Sequence, residues 1–187
     1  VHTTDGGQTF SDAGSPGVMA AQAPMPYPAG MPTVSDVRFG NANDGWAYGQ
    51  TLFSTTDGGA SWSAVDGIPG GVVELVAANG VAWAIVDLSA FVSPTPPPSV
   101  APGERYAIYS TPYGKGAQHW TRVMLPIELG DTQPSIADQD GTVTVLASGP
   151  VSAGNHGHAL VALPGKEFGD HRGPCSQDLG GNLSNSK

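Results

Sequence analysis

The sequence predicts an all-β chain of short antiparallel strands, and three observations carry that expectation. Gly (27) and Pro (17) make up almost a quarter of the 187 residues, too many turn formers for a helical bundle. The apolar residues come in short Val-rich runs, "VVELVAA", "VAWAIVDL", "TVTVLAS" and "HALVAL", bounded by Gly, Pro, Asn and Asp. Buried strands have that length and punctuation, and no stretch shows a sustained helical period. Finally, one motif recurs at a spacing of about 50 residues, the length of a four-stranded propeller blade.

The motif is Thr-Thr-Asp-Gly-Gly, two residues, then an aromatic. It appears as "HTTDGGQTF" at 2–10 and "STTDGGASW" at 54–62, so Phe10 and Trp62 stand 52 residues apart. Trp120 follows after 58 more in "YSTPYGKGAQHW", where the Asp is gone, and "LPGKEF" ends at Phe168 after a further 48. The longer interval contains "SPTPPPSVAPG" (93–103), a Pro-rich insertion that cannot belong to a central strand. One blade is legible in full: "TVSDVRF" (33–39) as inner strand, "GWAYGQ" (45–50) second, "TLFSTT" (51–56) third and "SWSAVD" (61–66) outer.

The fold class expected is therefore a β-propeller of four-stranded antiparallel blades, about three to four blades of a larger ring. Residues 1–187 form one incomplete domain: 1–10 end a blade, 33–66 form the next, and 72–124 form another with the insertion at 93–103. Residues 135–168 form a further blade, and 169–187 a connector and the start of its successor. Three-and-a-bit blades leave open edges, which remaining blades or further copies of the chain would have to cover.

Within the motif each residue type has a local task. The Asp57 carboxylate and the Thr55 hydroxyl can accept from turn N–H groups, Gly58 and Gly59 supply backbone angles that a Cβ resists, and Trp62 packs back onto its blade. The motif resembles the Asp-box, or BNR, repeat (Ser/Thr-x-Asp-x-Gly-x-Thr-Trp/Phe) of sialidase-like propellers. The run "VRFGNANDGWAYGQTLFSTTDGGASW" is most similar to propellers of the photosystem II stability/assembly factor type. The resemblance implies a structural role for Thr3, Asp5, Gly7, Phe10, Thr55, Asp57, Gly59, Trp62 and Trp120, on the face away from any catalytic centre.

Charge narrows the partners. A formal net charge of −9, with seven Lys and Arg in all, gives no basic stripe for nucleic acid or an anionic membrane, and no apolar segment is long enough to span a bilayer. The single cysteine, Cys175, is either a plain buried thiol or half of a bridge to a partner beyond Lys187. The chain opens inside a repeat and is taken as a processed or trimmed product.

Binding is expected on the opposite face, where second-to-third loops and inter-blade connections gather. Four segments map there: 11–32, "GIPGG" (67–71), the Pro-rich insertion with its flanks (89–104), and "SGPVSAGNHGH" (148–158). They carry Met25, Tyr27, Met31, Phe91, His156 and His158, and are either plain surface excursions or a rim for a protein or glycan partner. His156 and His158 would share one face of an extended segment, but no third metal ligand has a suitable spacing. No metal, no cofactor and no catalytic residue is expected. Arg38, Arg105, Arg122 and Arg172 lack the Phe/Tyr-Arg-x-Pro context of sialidases, and no spacing singles out a carboxylate pair among Asp36, Asp44, Glu74, Asp87 and Asp131. The expected function is a non-catalytic binding or scaffold module, extracellular or envelope-associated. The alternatives are a fragment of a carbohydrate-active propeller enzyme and a self-assembling structural protein.

Overall fold

The computed structural model describes residues 3, 8–9, 11, 34–89, 104–149, 157–162 and 167–170. Among these residues the chain is all-β, with twelve strands in three four-stranded antiparallel sheets. The first blade comprises β1 (Val34–Phe39), β2 (Gly45–Gly49), β3 (Phe53–Thr55) and β4 (Ser63–Ala64). In the second are β5 (Gly71–Ala78), β6 (Val81–Asp87), β7 (Tyr106–Pro112) and β8 (Thr121–Arg122). The third has β9 (Ser135–Gln139), β10 (Thr142–Ser148), β11 (Gly157–Ala162) and β12 (Gly169–Asp170). Each blade is an up-and-down meander in chain order, and the inner strands β1, β5 and β9 lie beside one another. This is a partial β-propeller. The outer strands β4, β8 and β12 are two residues long, which keeps the exposed sheet edges short.

The middle blade shows how alternation builds the core. Side chains of a strand point to opposite faces in turn. On β6, Ala82, Ala84 and Val86 pack with Trp46, Tyr48 and Leu52 of the first blade. Ile85 and Trp83, between them, pack with Val143, Val145 and Leu160 of the third. On β7, Ala107 and Tyr109 turn to the first blade, and Tyr106 and Ile108 to the third. The cross-strand pairs Ala84↔Tyr109 and Ile85↔Ile108 keep the two sets in step. "VAWAIVD" therefore has no polar side because both its faces are covered. Each fully buried Leu or Ile contributes about 1.5–3 kcal/mol.

β5 breaks the alternation. Its register shifts between Val72 and Glu74, so Val72 and Leu75, three apart, both meet the first blade. A bulge of this kind adds one residue and re-aims its neighbours. Glu74 then points to the third blade, where a carboxylate oxygen accepts the Ile136 N–H at 3.2 Å. Gly71, expected in the preceding connector, is the first residue of β5.

β1, the inner strand of the first blade, is less covered than its counterpart β5. Every residue from Ser35 to Phe39 is exposed, Val37 by 59%, although β5 in the same place of the next blade is largely covered. At the far side of the molecule Leu146 of β10 is 58% exposed, on the face turned away from the second blade. No helix occurs among the described residues, and so none there is long and apolar enough to cross a membrane.

Candidate functional site

The meanders place two kinds of loop at opposite ends of the sheets. The first-to-second turns (40–44, 79–80, 140–141) and third-to-fourth turns (56–62, 113–120) share one end. Second-to-third loops and inter-blade connections share the other.

At the turn end, the 54–62 segment closes on itself. Asp57 Oδ1 accepts the Ser61 N–H at 2.9 Å and the Thr55 hydroxyl at 2.7 Å, and Oδ2 accepts the Ser61 hydroxyl at 2.5 Å. Thr55 Oγ1 in turn accepts the Gly59 N–H at 2.9 Å. Gly58 and Gly59 have φ of 73° and 90°, the left-handed region that glycine enters without penalty. The Gly58 N–H reaches back to the Asn43 carbonyl, fastening this turn to the first-to-second loop. Trp62 stands immediately before β4. Its indole N–H donates to the Gly59 carbonyl at 3.1 Å, and its ring meets Phe39 edge-on at 6.1 Å. Gly45 makes this possible, because a Cβ there would lie 2.5 Å from the Phe39 ring.

The hydrogen bonds from Ser61, and after them that from Thr55, hold the Asp57 carboxyl at about 2, below its ordinary 3.8. A carboxyl whose folded value is depressed stabilises the fold above its unfolded value, and that contribution fades as pH falls through the folded one. The turn is therefore expected to loosen between about pH 4 and pH 2. Asp57→Ala should lower the melting temperature at neutral pH and flatten its decline over that acid range. Wild-type and variant melting curves that run parallel from pH 5 to pH 2 would contradict the staple.

The corresponding turn of the second blade has no Asp and is held from next door. Asp44, 8% exposed and in the first blade, accepts the Gly114 N–H at 2.8 Å through Oδ1. Its other oxygen accepts from the Asn41 amide at 2.8 Å. Trp120 stands immediately before β8 and meets Trp46 of the first blade edge-on at 6.5 Å. Phe168 stands immediately before β12 and meets Trp83 of the second blade edge-on at 5.3 Å. The closing aromatic of each of these blades thus packs on the second strand of the blade before. Thr3 is half-buried, while Asp5, Gly7 and Phe10 lie outside the described residues.

At the loop end, the strands on either side of 90–103 and 150–156 are fastened to each other. Residues 90–103 leave from Asp87–Ser89 and return at Glu104–Tyr106. The Leu88 N–H donates to the Arg105 carbonyl at 2.7 Å, and Asp87 Oδ1 accepts from both the N–H and the hydroxyl of Ser89. Arg105 lies 3.8 Å from the Asp87 carboxylate, with its guanidinium 5.1 Å from the Tyr106 ring centre. Arg122 pairs with Glu104 beside it. In the third blade His158 Nδ1 faces Asp170 Oδ2 at 3.1 Å, where β11 leaves the 148–158 loop. Three side-chain pairs therefore stand toward this end: Asp87 with Arg105, Glu104 with Arg122, and Asp170 with His158.

Of the residues expected on the binding face, His158 is placed at that rim; Met25, Tyr27, Met31, Phe91 and His156 lie outside the described residues. No cluster of three or more metal-ligating side chains occurs among the described residues. Of the carboxylates considered as a hydrolytic pair, Asp44, Glu74 and Asp87 each hold backbone or neighbouring side chains. The rim pairs were missed in the sequence because their partners are 12 to 18 residues apart. The available signal was the placing of Asp87 and Arg105 on either side of the insertion.

No protein-family profile matches the chain, and no curated protein does. Among solved structures, one described as "YCF48 bound to D1 peptide" matches at 18% identity and a TM-score of 0.41. The match covers 74% of this chain and 39% of that one, so the chain spans about two-fifths of the length of the solved chain it matches.

Proposed function

We propose that the chain is a segment of an Asp-box propeller that works as a non-catalytic binding module, extracellular or envelope-associated, taking a protein or glycan at the loop end. The observation that supports this most is the division of labour between the two ends. At the turn end Thr55, Asp57 and Asp44 are spent on holding turns. At the loop end a short, bonded neck flanks the Pro-rich 14-residue segment 90–103. Long loops on a rigid scaffold are common sites of recognition. The mixed charge of the rim suits a polar or zwitterionic surface, and the net charge of −9 disfavours nucleic acid.

Replacing 93–103 by a short Gly-Ser turn tests this. Ligands would be selected for the wild-type chain from a displayed random-peptide library and a glycan array. The replaced chain is expected to keep its melting temperature within a few degrees and to lose the selected ligands. Asp57→Ala is expected to keep them while melting earlier. Ligands that survive the loop replacement, or that are lost selectively in Asp57→Ala, would contradict the assignment.

A further inference from the structure

Three buried polar atoms belong to neighbouring side chains where the third-to-fourth turn of the second blade meets the first. Trp46 and Ser54 are direct cross-strand partners on β2 and β3, and each is 2% exposed. Trp120 meets Trp46 ring to ring. Gly116, four residues before it, lies so close that a Cβ there would be 4.0 Å from Ser54 Oγ. Trp46 Nε1, Trp120 Nε1 and Ser54 Oγ are all buried and without a hydrogen-bond partner. Leaving one buried donor unmet costs about 1–3 kcal/mol, so three on neighbouring side chains call for a shared partner.

We propose that these three groups hold one internal water between the first and second blades. Two indole N–H groups are donors only, and require an acceptor with two lone pairs. A water accepts from both and donates one of its hydrogens to Ser54 Oγ, which gives it three partners, the usual number for a buried water. Chloride would also accept from both indoles, but the turn that carries Trp120 already holds a carboxylate, Asp44, on its Gly114 N–H. A neutral acceptor is favoured there. The water does for the second blade what Asp57 does for the first: it fixes a third-to-fourth turn that has no carboxylate of its own.

The test is a water-to-indole cross-relaxation measurement on the full 187-residue chain labelled with ¹⁵N at its four tryptophans. The Trp46 and Trp120 indole protons are expected to show cross-peaks to water with the sign of a long-lived bound molecule. Trp62, whose N–H already donates to Gly59, is the internal control and should not. In Ser54→Ala the cross-peaks at Trp46 and Trp120 are expected to be lost together. The proposal is overturned if either indole lacks the cross-peak, if Trp62 matches them, or if Ser54→Ala leaves both unchanged. In a dry site the edge-on ring pair would instead take up an N–H as an N–H···π contact, and that indole proton would move upfield.

Discussion

Trp46→Ala is expected to destabilise the chain by about 3–5 kcal/mol, the cost of removing a buried aromatic side chain from a packed core. The site gives the cavity little chance to close. Trp46 is 2% exposed, its ring meets Tyr113 at 5.5 Å and Trp120 at 6.5 Å, and it sits in the cluster that joins the first two blades. Tyr113 and Trp120 belong to the turn that Asp44 holds, so their loss of a partner is felt in both blades. Denaturant melts followed by circular dichroism would show the shift. A loss below about 1 kcal/mol would mean that the first and second blades are not joined through this ring. Trp46→Phe keeps an aromatic surface and is expected to lose much less.

The second large effect is expected at Gly70. A Cβ at this position would stand 2.3 Å from the Asp87 carbonyl oxygen and 3.0 Å from its carbon. Backbone cannot swing aside as a flexible side chain can, and Asp87 is part of the neck that flanks residues 90–103. Gly70→Ala is therefore expected to cost about 1–3 kcal/mol, the range for overpacking, and to disturb the neck. The next blade repeats the device, with a Cβ at Gly130 lying 2.4 Å from the Gly149 carbonyl oxygen. Gly130→Ala should cost a similar amount. Gly157 is the control: nothing lies within 4 Å of a Cβ built there, and Gly157→Ala is expected to change stability by less than about 0.5 kcal/mol. Equal melting of Gly70→Ala, Gly130→Ala and Gly157→Ala would contradict the close approach.

The spacing of closing aromatics was enough to find the blades, because Trp62, Trp120 and Phe168 each precede a fourth strand. The spacing did not reveal why. Trp120 and Phe168 also meet the rings of Trp46 and Trp83 of the preceding blades, and a contact across 74 or 85 positions leaves no local pattern. Alternation likewise failed where a second force acted. On β6 it vanished because both faces are buried, and on β5 a bulge put Val72 and Leu75 on one side. The staple around Asp57 was legible because its bonds span four residues or fewer. Asp44 was not, since its role depends on Gly114, 70 residues away. For the loop end the sequence named segments rather than partners, and the rim of Asp87, Arg105, Glu104, Arg122, His158 and Asp170 emerged only once strands 12 to 18 residues apart were paired.

The claim on which everything else depends is that consecutive blades are stacked in chain order and locked by a recurring aromatic pair. Proton nuclear Overhauser contacts between aromatic rings measure it directly. Both Trp46–Trp120 and Trp83–Phe168 are expected to give strong ring-to-ring contacts in the folded chain, as does Phe39–Trp62 within the first blade. If Phe39–Trp62 were present while both inter-blade pairs were absent, each blade would fold locally without the stacking described, and the loop-end rim would lose its scaffold.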